Sequence, residues 1–213
     1  AMKVLMVNGS PNKSGWTYTA LSEIADTLHK EGIESEIFWI GNKPIAGCIG
    51  CHSCERTGRC FVKGDKVEEF LALARQSDGF IFGSPVYYAS ANGSLTAFMD
   101  RAFISELVGN DNRAFYLKPV AAVVSARRAG TTSTFDQLNK YFTLHQMPVI
   151  SSVYWNMVHG DTPEEVRQDK EGLWTMRVLA RNMAYSLRCK EAADKAGIAP
   201  PEQETPVFTN FIR

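Results

Sequence analysis

Near its N-terminus the chain reads Lys3-Val4-Leu5-Met6-Val7-Asn8-Gly9-Ser10-Pro11-Asn12-Lys13-Ser14-Gly15-Trp16-Thr17. Residues 3–7 form a short apolar run, the pattern of a strand buried on both faces. The next segment is rich in glycine and hydroxyls and opens directly into a helical pattern over 17–31. There Leu21, Ile24, Ala25 and Leu28 recur at helical spacing and Gly32 supplies the stop. Strand, polar loop and helix in immediate succession form the first half of a βαβ unit, and βαβ units build parallel sheets.

The same alternation continues outward. A second strand is expected over 33–40, then an irregular stretch over 41–64. Asp65 with Glu68 looks like an N-cap pair for a helix reaching about Gln76. A third strand is expected over 79–82 and a loop over 83–92. A helix follows with Leu95, Phe98, Met99 and Phe103 on one face. A fourth strand over 119–124, a polar loop over 125–130, a helix over 131–145 and a fifth strand over 147–153 complete the pattern. Thr162-Pro163-Glu164-Glu165 reads as a capping box starting one last long helix, with Val166, Leu173, Met176, Ala180, Met183 and Leu187 as its stripe. The fold class expected is α/β, a doubly wound parallel sheet of five strands. Residues 1–190 form one domain, 41–64 a cysteine-rich insertion after the second strand, and 191–213 a polar tail. That tail ends in Val207-Phe208-Thr209-Asn210-Phe211, whose rings are expected to pack on a neighbour or on their own domain.

Composition sets the bounds. The chain has 213 residues, 45% hydrophobic and 22% charged, as a globular domain requires. Lys and Arg together number 23, as do Asp and Glu, so the formal net charge is zero. Nucleic-acid or anionic-membrane binders need a basic excess, which is absent. No apolar run approaches the ~20 residues of a membrane span. The first residues lack a basic n-region and a small-residue cleavage site, so the chain is expected in the cytoplasm, with Ala1 a remnant of cloning.

Four of the five cysteines, Cys48, Cys51, Cys54 and Cys60, fall within 13 residues. In a reducing compartment such a cluster reads as a metal or redox site before it reads as disulfides. The spacing Cys-x2-Cys-x2-Cys-x5-Cys resembles the first ligands of a ferredoxin-type 4Fe–4S cluster more than the paired knuckles of structural zinc. Free thiols without metal are the other reading, at about even weight. Cys189 sits within a helical pattern and reads as a packed side chain.

Doubly wound sheets bind ligands beyond the carboxyl ends of their strands, which directs attention to three loops. The first, Asn8 to Thr17, offers free helix-start amides and the hydroxyls of Ser10, Ser14 and Thr17, which suit a monophosphate. It carries neither a Walker A pattern nor a Gly-x-Gly-x-x-Gly fingerprint, and alone it is equally a plain strand-to-helix turn. The second, Gly83 to Gly93, holds Pro85, Val86, Tyr87 and Tyr88, aromatics that a flat ligand could stack on. The third, Ser125 to Thr131, places Arg127 and Arg128 at a strand end. No loop offers a nucleophile–base pair, and His29, His52, His145 and His159 are scattered, so a cofactor is expected to carry the chemistry.

Together these loops resemble the flavodoxin-like NAD(P)H-dependent FMN reductase superfamily, nearest its iron–sulfur flavoprotein branch. Gly9-Ser10-Pro11 with Thr17, the four-cysteine run, Ser84-Pro85-Val86-Tyr87-Tyr88 through Met99-Asp100-Arg101, and Ser125 to Thr131 carry the match, with Tyr154-Trp155-Asn156 also similar. Asn12 and Trp16 depart from the pattern, standing where many relatives have Arg and Asn. The resemblance implies a flavodoxin-like sheet of order 2-1-3-4-5. It implies FMN phosphate held by Ser10, Pro11, Asn12, Ser14, Gly15, Trp16 and Thr17. The flavin ring would lie against Pro85, Val86, Tyr87 and Tyr88, its far edge near Ser125, Arg127, Arg128, Gly130 and Thr131. Electrons would pass from NAD(P)H through FMN to a quinone-like acceptor or a redox protein. The thiols of Cys48, Cys51, Cys54 and Cys60 would hold a 4Fe–4S cluster if one is present. Arg127 or Arg128 would stabilise negative charge on the reduced ring. A homodimer or homotetramer is implied, with neither nucleic acid nor membrane as partner. Three rival readings are a flavodoxin-like electron carrier, a thiol or zinc interaction module, and a response-regulator domain. The last needs acidic residues where Asn8-Gly9-Ser10 stands.

Overall fold

A computed structural model describes residues 2–211. The strands are β1 (Lys3–Asn8), β2 (Glu34–Trp39), β3 (Gly79–Tyr87), β4 (Ser90–Ala91), β5 (Val120–Ala126) and β6 (Met157–His159). The helices are α1 (Trp16–Lys30), α2 (Ser53–Thr57), α3 (Val67–Ala74), α4 (Gly93–Gly109), α5 (Thr131–Leu144), α6 (Pro163–Val166) and α7 (Lys170–Lys195). The sheet runs β2-β1-β3-β5-β6 with every neighbour parallel, and β4 pairs antiparallel with the end of β3. Setting β4 aside, this is the flavodoxin-like order 2-1-3-4-5.

Residue alternation builds the two cores. Leu5 and Val7 of β1 face one side with Phe80 and Phe82 of β3, covered by α3, α4 and α5. Val4 and Met6 face the other side with Ile81, Ala121 and Val123, covered by α1 and α7. The α3–α4–α5 side is rich in aromatics: Phe70 meets Phe98 at 5.2 Å, and Phe103 stacks on Phe115 at 4.4 Å. Ring pairs in these geometries add roughly 0.5–1.5 kcal/mol each beyond area burial.

Four local expectations are corrected. The fifth strand is not 147–153. Pro148 offers a carbonyl to Val120 N and Ile150 donates to Val120 O, but only Val149 forms a bridge. The chain then leaves the sheet and re-enters at Met157, while the Asn156 side chain donates to Ala122 O and its carbonyl accepts from Val124 N. The third strand runs on through 83–87, part of the expected loop, because the turn at Tyr88 and Ala89 folds β4 back onto it. The last helix is broken: Thr162 caps α6, and Asp169 accepts from Gly172 N to start α7 afresh. Val207, Phe208 and Phe211 lie exposed, not packed on their own domain. Among the described residues no helix is long and apolar enough to cross a membrane.

Candidate functional site

The chain crosses from β1 toward β2 on one side and β3 toward β5 on the other, so the loops after β1 and β3 diverge and leave a crevice. Two glycines keep its floor narrow. Gly9 donates to Gly83 O at 2.9 Å, and a Cβ on Gly9 would come within 2.7 Å of that oxygen and of Leu95 Cδ2. A Cβ on Gly83 would meet Thr17 Cγ2 at 2.8 Å.

The first loop is a chain of side-chain-to-backbone turns. Buried Asn8 accepts from Ser10 N and donates to Lys13 O; Ser10 Oγ accepts from Asn12 N; Asn12 Oδ1 accepts from Ser14 N. Gly15 is the N-cap of α1 and brings no side chain, so among the described residues the amides of Trp16, Thr17 and Tyr18 find no protein acceptor. The loop thus presents unspent N–H groups at the positive end of a 15-residue helix. Ser10, Pro11, Asn12, Gly15, Trp16 and Thr17 line one open cleft of about 430 Å³, closed on its far side by Pro85 and Tyr87. Of the residues expected on the phosphate, only Ser14 stands outside this cleft; it is exposed, with its amide turned to Asn12. Trp39 Nε1 donates to Ser10 O at 2.8 Å and holds the loop from behind.

Thr17 and Ser125 are both buried, and their hydroxyls are hydrogen-bonded to each other at 2.8 Å. Two hydroxyls sharing one bond keep one proton available for a ligand. This contact ties the first loop to the end of β5.

The second loop is a hairpin. Tyr88 and Ala89 both have positive φ, 50° and 56°, as a two-residue type I′ turn demands. Tyr87 flanks the cleft, whereas Tyr88 at the tip points fully into solvent, away from the position expected for a stacking residue. The hairpin is held on α5. Gln137 Oε1 accepts from Ser90 Oγ and Ala91 N, and Ser133 Oγ donates to Ala89 O. Gly130 (φ +93°) lies beneath, where a Cβ would meet Ala89 Cα and half-buried Val86 at 2.7 Å. Arg127 and Arg128 are exposed on this third loop, and Thr131 is buried. Asn92 joins all of this: its Nδ2 donates to Gly9 O, its Oδ1 caps α4 by accepting from Leu95 N, and its own N donates to Ser84 Oγ.

A second cavity, about 560 Å³, lies over α4 and is lined by Cys48, Cys51, Cys54 and Cys60 together with Ile49, Phe61, Ile104, Val108 and Arg101. All four thiols are free. Burial pushes the Cys54 thiol pKa up, opposed by the amides of Cys54 and Glu55, and the Cys60 and Cys48 sulfurs add to the rise. Gly109 lets α2 approach, since a Cβ there would strike Cys54 O. Among the described residues no group of three or more His, Cys, Asp or Glu is close enough to share one metal ion. A single zinc with Zn–S bonds of about 2.3 Å needs its thiols nearly touching. The four sulfurs line one cavity, and cysteine thiolates are the usual donors to an iron–sulfur cluster.

Arg101, on α4, is the residue that spacing alone did not assign. Its side chain is 1% exposed and pairs with Asp65. Burial works against the guanidinium charge, yet Asp65 and Cys60 outweigh it and raise its pKa. The expected cap of α3 is therefore only partly seen. Asp65 does accept from Val67 N, but its other oxygen serves Arg101, and Glu68 accepts from Cys60 N.

The profile of the family described as NADPH-dependent FMN reductase matches residues 2–162. An iron–sulfur flavoprotein of Methanocaldococcus jannaschii is 31% identical over 192 residues, 86% of this chain and 96% of that protein. One from Archaeoglobus fulgidus is 34% identical over 193 residues, 87% and 92% respectively. Among solved structures, RosB with bound 8-demethyl-8-formylriboflavin-5'-phosphate superposes with a TM-score of 0.68 at 15% identity, covering 100% of this chain and 94% of that one. A WrbA-like flavodoxin from Agrobacterium tumefaciens gives 0.64 at 14% identity, covering 89% and 99%. The structural likenesses show a flavodoxin-like fold. The sequence matches go further: this chain belongs to the NADPH-dependent FMN reductase family of flavin-dependent oxidoreductases, beside its iron–sulfur flavoproteins.

Proposed function

We propose that the protein binds FMN at the crevice between the loops after β1 and β3 and oxidises NAD(P)H, passing the electrons to a quinone-like or one-electron acceptor. The observation that carries this reading is the start of α1, where Gly15 brings no capping side chain and Trp16 and Thr17 line one cleft with Pro85 and Tyr87. FMN bound there would supply exchange of electrons in ones or twos. The chain's own tasks follow from its geometry. The α1 amides and the spare proton of the Thr17–Ser125 pair hold the phosphoryl group. Pro85 and Tyr87 wall the ring on one side. Arg127 and Arg128, exposed and adjacent, bring positive charge to the rim where negative charge gathers on reduction.

The four cysteines are proposed to hold a 4Fe–4S cluster, which would supply one-electron transfer. Ile49, Phe61, Ile104 and Val108 would wall it from water. That apolar rim also supports the homo-oligomer expected from the family likeness, and light scattering coupled to gel filtration measures its order.

Anaerobically purified protein should show flavin absorption bands over a broad iron–sulfur shoulder and should oxidise NADH or NADPH with an added quinone. Cys51→Ala should remove the shoulder and spare the flavin. Colourless protein that takes up no FMN on titration overturns the reading. Bound FMN with no NAD(P)H oxidation would instead favour an electron carrier.

A further inference from the structure

The guanidinium of Arg101 has five N–H donors, and the cysteine insertion together with Asp65, the residue that follows it, takes every one. Nε donates to Cys60 Sγ at 3.2 Å. Nη1 donates to Ala46 O at 3.2 Å and to Asp65 Oδ2. Nη2 donates to Val62 O at 2.9 Å and to Asp65 Oδ1 at 3.3 Å. These acceptors come from both ends of the insertion, Ala46 before the first cysteine and Val62 and Asp65 after the last. The donor itself sits on α4, whose neighbours Phe98, Met99, Ala102 and Phe103 are core. A long irregular loop is thereby fastened at its neck to a helix that packs into the hydrophobic core. Lysine could not do this, since an ammonium has three donors and no planar fork.

One of the five bonds goes to sulfur. A hydrogen bond and a positive charge beside a metal-bound thiolate stabilise the form carrying the extra electron, which raises the reduction potential. Among the described residues Cys60 is the only one of the four clustered cysteines whose sulfur accepts a side-chain hydrogen bond. We propose that Arg101 is a positioning residue for the thiol cavity: it fixes the neck of the cysteine insertion and, through Nε–H···Sγ at Cys60, sets the reduction potential of the iron–sulfur cluster held there. This rests on the cluster reading above. The residue lines the thiol cavity and not the flavin cleft, so its effect on FMN is expected to be small.

The experiment compares full-length wild type, Arg101→Lys and Arg101→Met after anaerobic reconstitution with iron and sulfide. Iron, acid-labile sulfide and FMN per chain are measured, together with the cluster midpoint potential. Arg101→Met should hold at least tenfold less iron and sulfide at unchanged FMN content. Its insertion, residues 41–64, should be cleaved faster by protease in the metal-free state. Arg101→Lys should keep iron but shift the oxidised-to-reduced ratio at a fixed potential about tenfold toward oxidised, about 59 mV for one electron. A purely structural role would not move the potential at matched iron content. Should Arg101→Met lose FMN and fail to fold, Arg101→Lys decides. Wild-type potential in Arg101→Lys overturns the proposal while the cluster reading stands. Wild-type protein that retains no iron and sulfide overturns the cluster reading and this proposal with it.

Discussion

Asn92 shows how much one buried amide can organise. Its side chain holds the Gly9 carbonyl with one end and caps α4 with the other, so both walls of the crevice between the loops after β1 and β3 hang on it. Asn92→Ala removes a helix cap, roughly 0.5–2 kcal/mol, and leaves the Gly9 carbonyl without its partner. A loss of about 2 kcal/mol is expected in urea unfolding of the apo-protein, with FMN affinity weakened at least tenfold by fluorescence titration. An Asn92→Ala protein with wild-type affinity would show that the crevice is set by the glycines alone. His145 makes a different case. It is buried, perpendicular to the stacked rings of Phe103 and Phe115, its Nδ1 lies 2.7 Å from Asn112 Oδ1, and burial lowers its pKa to about 4. The unfolded imidazole titrates near 6.5, so the unfolded chain binds the extra proton between pH 6.5 and 4. Stability supplied by the neutral ring is complete above pH 6.5 and is lost as pH falls to about 4, of order 3 kcal/mol. In His145→Gln, denaturant midpoints between pH 7 and 4 should lose this part of their slope.

Among the elements, the β3–β4 hairpin is the one whose conformation is forced. Tyr88 and Ala89 accept left-handed backbone, and Gly130 at the start of α5 gives them room. Gly130→Ala combines a φ of +93° with a Cβ 2.7 Å from Ala89 Cα, so the hairpin must lift from α5. Gly197→Ala has the same backbone penalty, φ +74°, and nothing within 4 Å. The isolated penalty is about 1–2 kcal/mol. Unfolding experiments should find Gly130→Ala more destabilising than Gly197→Ala, and only Gly130→Ala should weaken FMN binding. Equal effects on both would mean that the hairpin does not need its dock on α5. The last strand teaches a related lesson. Residues 147–153 have the apolar pattern of a strand, yet Pro148 and the bonds drawing Ser151 and Ser152 toward α7 take that segment off the sheet. Asn156 then fills the gap in the ladder.

The whole molecule joins two cavities of different character to one sheet. The crevice proposed for FMN belongs to the sheet itself: it lies at the strand ends, and it should persist whatever happens to the cysteines. The thiol cavity belongs to an insertion that Arg101 fastens to α4. Cys48 and Cys51 are exposed and carry no core packing. Their joint replacement by Ser in metal-free protein should change unfolding free energy by less than about 0.5 kcal/mol and leave FMN affinity intact. A large loss of stability would place the insertion within the folding core.

Local pattern was sufficient for most of the order of elements, for the parallel sheet and for the glycine-rich loop after β1. Apolar runs, capping residues and glycine-rich turns act over a few residues, and the order 2-1-3-4-5 came with the family likeness those turns carry. The turns of the loop after β1 are local for the same reason: Asn8, Ser10 and Asn12 satisfy amides two residues away. Long-range pairing was not legible. Nothing near Arg101 in the chain announces Ala46, Cys60, Val62 and Asp65 as its acceptors, and Tyr88 reads as a stacking ring until the hairpin turns it to solvent. The broken fifth strand is likewise a matter of the Ser151 and Ser152 bonds to α7 and the Asn156 bonds to β5. Where a side chain's partner lies tens of residues away, burial and hydrogen-bond satisfaction assign its role, and those are properties of the packed chain.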